Sequence, residues 1–135
     1  MKEPSVAISL VWRGDLRFVA SAKGGVIEMD GDSVAGPSPV EALAFSLAGC
    51  MAADVASILQ KGRHDLRGLE TNLVCERAES HPRRVVRAIM RFTVTGKVPE
   101  AAIERAIALS RDKYCSVWHS LKSDIDLLTS HEVIP

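Results

Sequence analysis

Apolar and polar side chains alternate along several stretches of the chain with a period of two, which is typical of half-buried β-strands. The stretches with this pattern are residues 5–12, 16–20, 26–30, 69–77, 85–95 and 125–133. Glycine-containing turns separate the first three, and a bend at residues 78–83 precedes the fifth. In the fifth stretch every second residue from Val86 to Val94 is apolar, so we expect this face of the strand to lie in the core.

The longest apolar segment lies between the third and fourth predicted strands and has the pattern of a helix. Ser38 and Glu41 have the spacing of a capping box, and Pro39 stands at the first helical position, where its missing N–H costs nothing. Gly62 is typical of the residue that ends a helix. The sequence therefore predicts a helix over residues 39–61, about 34 Å long.

Almost every residue from 42 to 53 in this helix is apolar or small, so we expect it to be buried on most sides. The apolar segment is short and is flanked by Glu41, Asp54 and Lys61, which favours a core helix over a membrane span. One chain of 135 residues can hardly cover a helix that is apolar nearly all round. This predicts an intimate homodimer.

A second helix is predicted from Pro99 onward, with an apolar stripe that includes Ile103, Ala106 and Ile107 and continues to Ser110. Residues 113–116 interrupt the pattern, and a further helical turn or two is expected at residues 117–121. Strands grouped beside helices indicate an α+β fold with mostly antiparallel sheets. The length favours a single domain over residues 1–135.

The composition and charge of the chain bear on its partners and on its location in the cell. The 17 Lys and Arg residues balance the 17 Asp and Glu residues, and a net charge of zero argues against a nucleic-acid partner. The first residues do not resemble a signal peptide, and three cysteines without an export signal favour a reducing compartment. A cytoplasmic location is therefore expected.

Two cysteines have contexts in which a thiol could be reactive. Cys50 lies in the middle of the long helix on the face of Ser46 and Asp54, and a neighbouring carboxylate disfavours a thiolate. A reactive Cys50 therefore needs a cation from elsewhere, most simply an arginine. Cys115 falls where one helical segment ends and another begins, so free amides there are expected to lower the pKa of its thiol. From the residues alone, burial as small apolar side chains explains both cysteines better than reactivity.

The remaining candidates have simpler explanations. Cys75 shares a strand face with Thr71 and Leu73, which favours packing. Cys115 and His119 have helical spacing and could form a Cys–His pair or half a metal site, but a surface histidine is the better interpretation. No metal and no cofactor is expected. Five arginines could bind an anion, although a solvated hairpin face explains them better: Arg77, Arg83, Arg84, Arg87 and Arg91.

Several motifs resemble the OsmC/Ohr family, and in particular its YhfA-like branch, over essentially the whole chain. They are GPSPVEAL, AGC, DVASILQKGR, HPRR and ALSRDKYCSV. The resemblance implies an intertwined α+β homodimer with central helices between sheets and two sites at the subunit interface. It also implies thiol-dependent reduction of organic hydroperoxides, in which Cys50 becomes a sulfenic acid and Cys115 resolves it as a disulfide. A dithiol partner would then reduce the disulfide. Four apolar residues would favour organic substrates: Leu43, Phe45, Leu47 and Met51.

The chain departs from the peroxidase members at the residues that activate their nucleophile. Those members begin the long helix with Asn-Pro-Glu, and the glutamate holds an activating arginine; residues 38–40 here are Ser-Pro-Val. Glu41 follows one residue later, which rotates its side chain by about 100°. Capping therefore explains Glu41 better, although we keep it as a candidate site residue.

Arg13, with Arg17 beside it, is the candidate for the activating cation, since the arginine of the family comes from the first strands. Ser116 follows Cys115 where the peroxidase members have proline. The predicted site is therefore Cys50 and Cys115 with Arg13 and Glu41. The alternative is a stress-response or small-molecule-binding module of the same fold that keeps the thiols but has little or no peroxidase turnover.

Overall fold

The structure is a computed structural model that describes residues 4–135. The strands are β1 (Ile8–Trp12), β2 (Arg17–Ala22), β3 (Gly25–Asp30), β4 (Gly68–Arg77), β5 (Val85–Thr95) and β6 (Asp126–Ile134). The helices are α1 (Pro39–Lys61), α2 (Glu100–Leu109) and α3 (Ser116–His119), with a π-helical turn at Ser110–Tyr114. The chain divides within α1 into a first unit that ends at Leu43 and a second unit, Ala44–Pro135. The single domain over residues 1–135 stays a prediction.

The first unit contains an antiparallel sheet in the order β1-β2-β3. Its first strand begins at Ile8, three residues later than predicted, because β2 ends at Ala22, the partner of Ile8. Asp30 ends β3, and its buried carboxylate accepts hydrogen bonds of 2.9 Å from the N–H groups of Asp32 and Ala35. These bonds lower the pKa of Asp30 and shape the loop that leads into α1.

The predicted capping box at the start of α1 is present. The Ser38 Oγ accepts from the Glu41 N–H at 3.1 Å, and Glu41 Oε1 accepts from the Ser38 N–H at 2.9 Å. The hydroxyl of Ser33 also donates to the Glu41 carboxylate. Bonds from Ser33 and then Ser38 lower the pKa of Glu41, so the fold uses this carboxylate to start the helix.

Burial of α1 is only partial in the single chain. In the single chain only one stripe of α1 within the described residues is buried: Leu47, Met51, Val55 and Leu59. Other apolar side chains of α1 stay exposed in the single chain, and Phe45, for example, is 69% exposed. Burial of the helix on most sides was expected with a second chain, and it stays a prediction. By length and composition alone α1 could also cross a membrane, a test that helices of soluble cores pass as well.

The second unit contains a sheet in the order β4-β5-β6. The β4–β5 pair is antiparallel, as predicted, but β6 runs parallel to β5 from Asp126 beside Arg87 to Ile134 beside Thr95. The parallel direction follows from the α2 and α3 segments, which connect β5 to β6 as a crossover. The sheets are thus mostly antiparallel, and the α+β prediction is confirmed.

The core of the second unit lies between this sheet, the buried stripe of α1 and α2. The predicted inner face of β5 is confirmed, with Ala88, Met90, Phe92 and Val94 fully buried. The predicted stripe of α2 is confirmed as well, since Ile103, Ala106 and Ile107 belong to the same core. The last buried member of this stripe, Ser110, is polar and leads to the site.

Candidate functional site

Helix α1 presents a thiol and a carboxylate to the same region of the second unit. Cys50 and Asp54 lie one helical turn apart, and both side chains are half-buried. Cys50 packs against the edge of the core. The helix axis therefore fixes the spacing of these two groups.

A second thiol comes from the segment that follows α2. The helix ends in a π-helical turn, which the Cys115 N–H closes by donating to the Ser110 carbonyl at 2.8 Å. Cys115 then serves as the N-cap of α3, and its Sγ accepts from the Trp118 N–H at 3.3 Å. The side chain of Cys115 is fully buried. Two backbone features, the wide turn and the new cap, therefore hold this sulfur in place.

The two segments bring three reactive groups together. The Cys50 Sγ, the Cys115 Sγ and a carboxylate oxygen of Asp54 all lie within 4.8 Å of one another. We call these three residues the thiol–carboxylate cluster. The hydroxyl of the fully buried Ser110 donates to Asp54 Oδ2 at 2.8 Å, which orients the carboxylate. The two cysteines singled out in the sequence are thus neighbours, although they lie 65 positions apart along the chain.

The fold keeps the Cys115 thiol protonated. Burial, above all, raises its pKa from 9.0 to about 11. A hydrogen bond with Cys50 and the negative charges of Cys50 and Asp54 act in the same direction, while the Trp118 N–H opposes them. Within residues 4–135, none of the groups that act on this pKa is a lysine or an arginine. The expected lowering of the Cys115 pKa is therefore wrong, because desolvation outweighs the single N–H bond at the start of a one-turn helix.

The other candidates occupy ordinary structural positions. Cys75 is half-buried on β4, and burial raises the pKa of its thiol. His119 is exposed, whereas Cys115 is buried, which agrees with a surface histidine. Arg87 pairs with Glu76 and Asp126 at 3.4 Å in each case. Arg91 pairs likewise with Glu132 at 3.0 Å, so these two arginines form the solvated face of the sheet.

Arg13 and Glu41 belong to the first unit, whereas the thiol–carboxylate cluster belongs to the second. Arg13 is exposed in the turn between β1 and β2, and its N–H donates to the Arg17 carbonyl at 2.8 Å. Glu41 is engaged by Ser33 and Ser38 at the helix start. Their roles at Cys50 stay predictions.

Sequence reasoning missed the polar support of the cluster. It treated Ser110 as a member of the α2 stripe and Asp54 only as a nearby charge. A serine at the fully buried end of an apolar stripe needs a hydrogen-bond partner, so the sequence could have indicated that Ser110 makes a buried polar contact. The partner itself could not be named, because it lies 56 residues away along the chain.

The fold and the cluster define an α+β protein in which two cysteines from different helical segments meet beside a carboxylate. A sequence model of OsmC-like proteins matches residues 30–130, and the chain belongs to the OsmC-like family. It is 43% identical to protein YhfA of Escherichia coli K12 over 126 residues, covering 91% of this chain and 94% of that protein.

Solved structures share the architecture. A hypothetical protein from Aquifex aeolicus is 30% identical, with a TM-score of 0.90 and 97% of each chain covered. The organic hydroperoxide resistance protein OhrB of Bacillus subtilis is 12% identical, with a TM-score of 0.62 over 95% of this chain and 98% of its own. The second likeness concerns the fold alone.

Proposed function

We propose that this protein is a thiol-dependent peroxidase that reduces organic hydroperoxides through a Cys50 thiolate and a Cys50–Cys115 disulfide. The observation that carries the proposal is the approach of the two sulfurs to within 4.8 Å. A disulfide needs a separation of about 2.05 Å between the two sulfurs, so the side chains must move toward each other to form it. A solved structure of the same fold is named for organic hydroperoxide resistance, which supports the proposal.

The proposed reaction has three balanced steps. The Cys50 thiolate attacks the outer oxygen of the hydroperoxide, the O–O bond breaks, and the alkoxide leaves as an alcohol after taking a proton; Cys50 becomes a sulfenic acid. The Cys115 sulfur then attacks Cys50 and displaces water, which forms the disulfide. A dithiol supplies two electrons and two protons and restores both thiols.

The surroundings of Cys115 suit a resolving cysteine better than a nucleophile. Its pKa of about 11 keeps it as a thiol at neutral pH, so it does not compete with Cys50 for the peroxide. In the second step its proton must leave, and the Asp54 carboxylate lies within 4.8 Å as an acceptor. Ser110 holds that carboxylate in place.

We further propose that the protein acts as a cytoplasmic homodimer. The first unit exposes large apolar side chains on its strands, among them Leu10, Trp12 and Val26 at 50–65% exposure. Leu10 and Val26 line an apolar depression of about 430 Å³ on the β1–β3 sheet. An apolar surface of this kind on a soluble protein favours a partner, and a second copy of this chain is the simplest one.

The test is to treat the reduced protein with cumene hydroperoxide. We expect free thiols to fall from three to one per chain, with Cys75 left free, and peroxide to be consumed when a dithiol is supplied. Cys50→Ser should abolish consumption, Cys115→Ser should stop at the sulfenic acid, and Cys75→Ser should behave as the wild type. If the fully reduced wild-type protein consumes no peroxide, the proposal is wrong.

A specific observation favours a second candidate, a small-molecule-binding module with little turnover. The Glu41 carboxylate is bound by Ser33 and Ser38, and Val40 stands where peroxidase members have the activating glutamate. For such a module we expect apolar ligands to raise the melting temperature equally in the wild type and in Cys50→Ser. A thermal shift that disappears in Cys50→Ser would instead favour chemistry at the thiol.

A further inference from the structure

We propose that Cys50, Asp54 and Cys115 form a binding site for a thiophilic divalent cation, Zn²⁺ in the first place. Two thiolates and a carboxylate are ligand types that zinc takes in proteins. With Zn–S bonds of about 2.3 Å and Zn–O bonds of about 2.0–2.2 Å, tetrahedral geometry places ligand atoms about 3.5–3.8 Å apart. The three ligand atoms of the cluster already lie within 4.8 Å of one another. Small side-chain movements are therefore enough to close them around an ion.

The backbone of both segments supports this arrangement. Cys50 and Asp54 have the one-turn spacing at which two side chains on a helix reach a common point. Cys115 comes from a separate segment and is fixed there by the bond from its N–H to the Ser110 carbonyl and by its role as the cap of α3. Because the ligands come from two separate segments, an ion would also link α1 to the end of α2.

Ser110 supplies the outer support that metal ligands commonly have. Its hydroxyl donates to Asp54 Oδ2 at 2.8 Å, and the side chain of Ser110 is fully buried. An ionised carboxylate has about four lone-pair positions, so this bond leaves others for an ion. Hydrogen bonds of this kind orient the ligand, and their loss typically weakens metal binding by about 10–100-fold.

Charge and access also fit a divalent cation. Zinc displaces the protons of the two thiols when it binds, and the charge of the dication compensates the two thiolates and the carboxylate that then lie close together. The protein offers three ligands from this cluster, which leaves a fourth tetrahedral position for water or a small exogenous ligand. Cys50 and Asp54 are half-buried rather than sealed, so an ion can enter from their side.

The site does not depend on peroxidase activity, but it excludes the disulfide, because both need the same two sulfurs. Zinc would therefore protect the reduced pair from oxidation. This exclusion gives the proposal a readout that is independent of turnover.

The experiment is a zinc titration of the reduced, metal-free protein against a competing chromogenic chelator. We expect one Zn²⁺ per chain in the wild type and in the control Cys75→Ser, and none retained in the Cys50→Ser/Cys115→Ser double variant. Ser110→Ala should bind about 10–100-fold more weakly than the wild type. Retention of zinc by the double variant, or no zinc in the folded wild type, would overturn the proposal.

A second measurement uses the wild-type chain alone and so does not depend on a variant folding. Cys50 and Cys75 are both half-buried, and they can be compared within one sample. Zn²⁺ should slow alkylation of Cys50 and leave Cys75 unchanged, as followed by peptide mass spectrometry. Equal rates with and without zinc at Cys50 would count against the site whether or not the protein reduces peroxides.

Discussion

The fold keeps the Cys115 thiol protonated far above the pH at which a free thiol ionises, and this has a measurable effect on stability. Its pKa rises from 9.0 to about 11 on folding, mainly because the side chain is buried. Below pH 9 both states hold the proton. Between pH 9 and about 11 the unfolded chain loses it while the folded chain keeps it, so the free energy of unfolding falls as pH rises. At about 1.4 kcal/mol for each pH unit between the two values, the loss is about 3 kcal/mol.

The perturbation is Cys115→Ser, which keeps an acceptor for the Trp118 N–H but removes the ionisable group. Urea unfolding should be followed by circular dichroism at a series of pH values, with a phosphine reductant and a chelator present. We expect the wild type to lose about 3 kcal/mol more than Cys115→Ser from pH 9 to about 11. Titration of lysines and tyrosines affects both proteins and cancels in the difference.

Asp54→Asn is the matched control that tests whether burial, rather than the nearby charge, raises the pKa of Cys115. Burial is the largest contribution to the raised pKa of Cys115, and the charge of Asp54 is the smallest. Asp54→Asn should therefore keep most of the alkaline loss. Parallel stability curves for the wild type and Cys115→Ser would refute the reasoning, since they would mean that this thiol ionises equally easily in both states.

Three further predictions concern the scaffold. Gly96→Ala should lower the free energy of unfolding by about 1–3 kcal/mol or more, because Gly96 has φ +127° and an added Cβ would overlap the Asp65 carbonyl. Urea unfolding measures this loss. Gly24→Ala is the control and should match the wild type, because its Cβ meets no atom within 4 Å. Ser38→Ala removes the cap of α1 and should cost about 0.5–2 kcal/mol, with faster amide exchange in the first turn; unchanged exchange would contradict the capping role. The pKa of Asp30 lies below its ordinary 3.8, so the ionised carboxylate stabilises the folded state at neutral pH. This stabilisation is lost as pH falls through the lower folded value. Asp30→Asn should therefore flatten the acid side of the curve of unfolding free energy against pH, and an unaltered acid side would show that the carboxylate contributes nothing.

Local patterns made the framework predictable. Ser38 and Glu41 are three residues apart, so their capping box could be identified without knowing the rest of the fold, and α1 has the predicted bounds. The alternation from Val86 to Val94 predicted the buried side of β5 in the same way. In each case the interaction lies within one element, where the spacing of residues determines which side chains meet.

The site was predictable only in part. The sequence pointed to Cys50 and Cys115 through their helical contexts, and the resemblance to a family supplied their catalytic roles, which stay predictions. The approach of the two sulfurs, the bond from Ser110 to Asp54 and the π-helical turn all depend on segments far apart along the chain. A periodic pattern carries no information on such contacts.

The sequence by itself determined where the helices and strands lie and which of their faces are apolar, because short-range spacing and side-chain hydrophobicity are properties of the chain. Only the tertiary structure decided that β6 runs parallel to β5 and that the Cys115 thiol is held protonated rather than activated. The physical reason is that the ionisation of a group depends on desolvation and on charges that packing brings near it. Here the burial of one sulfur outweighed the helix start that its sequence position indicated.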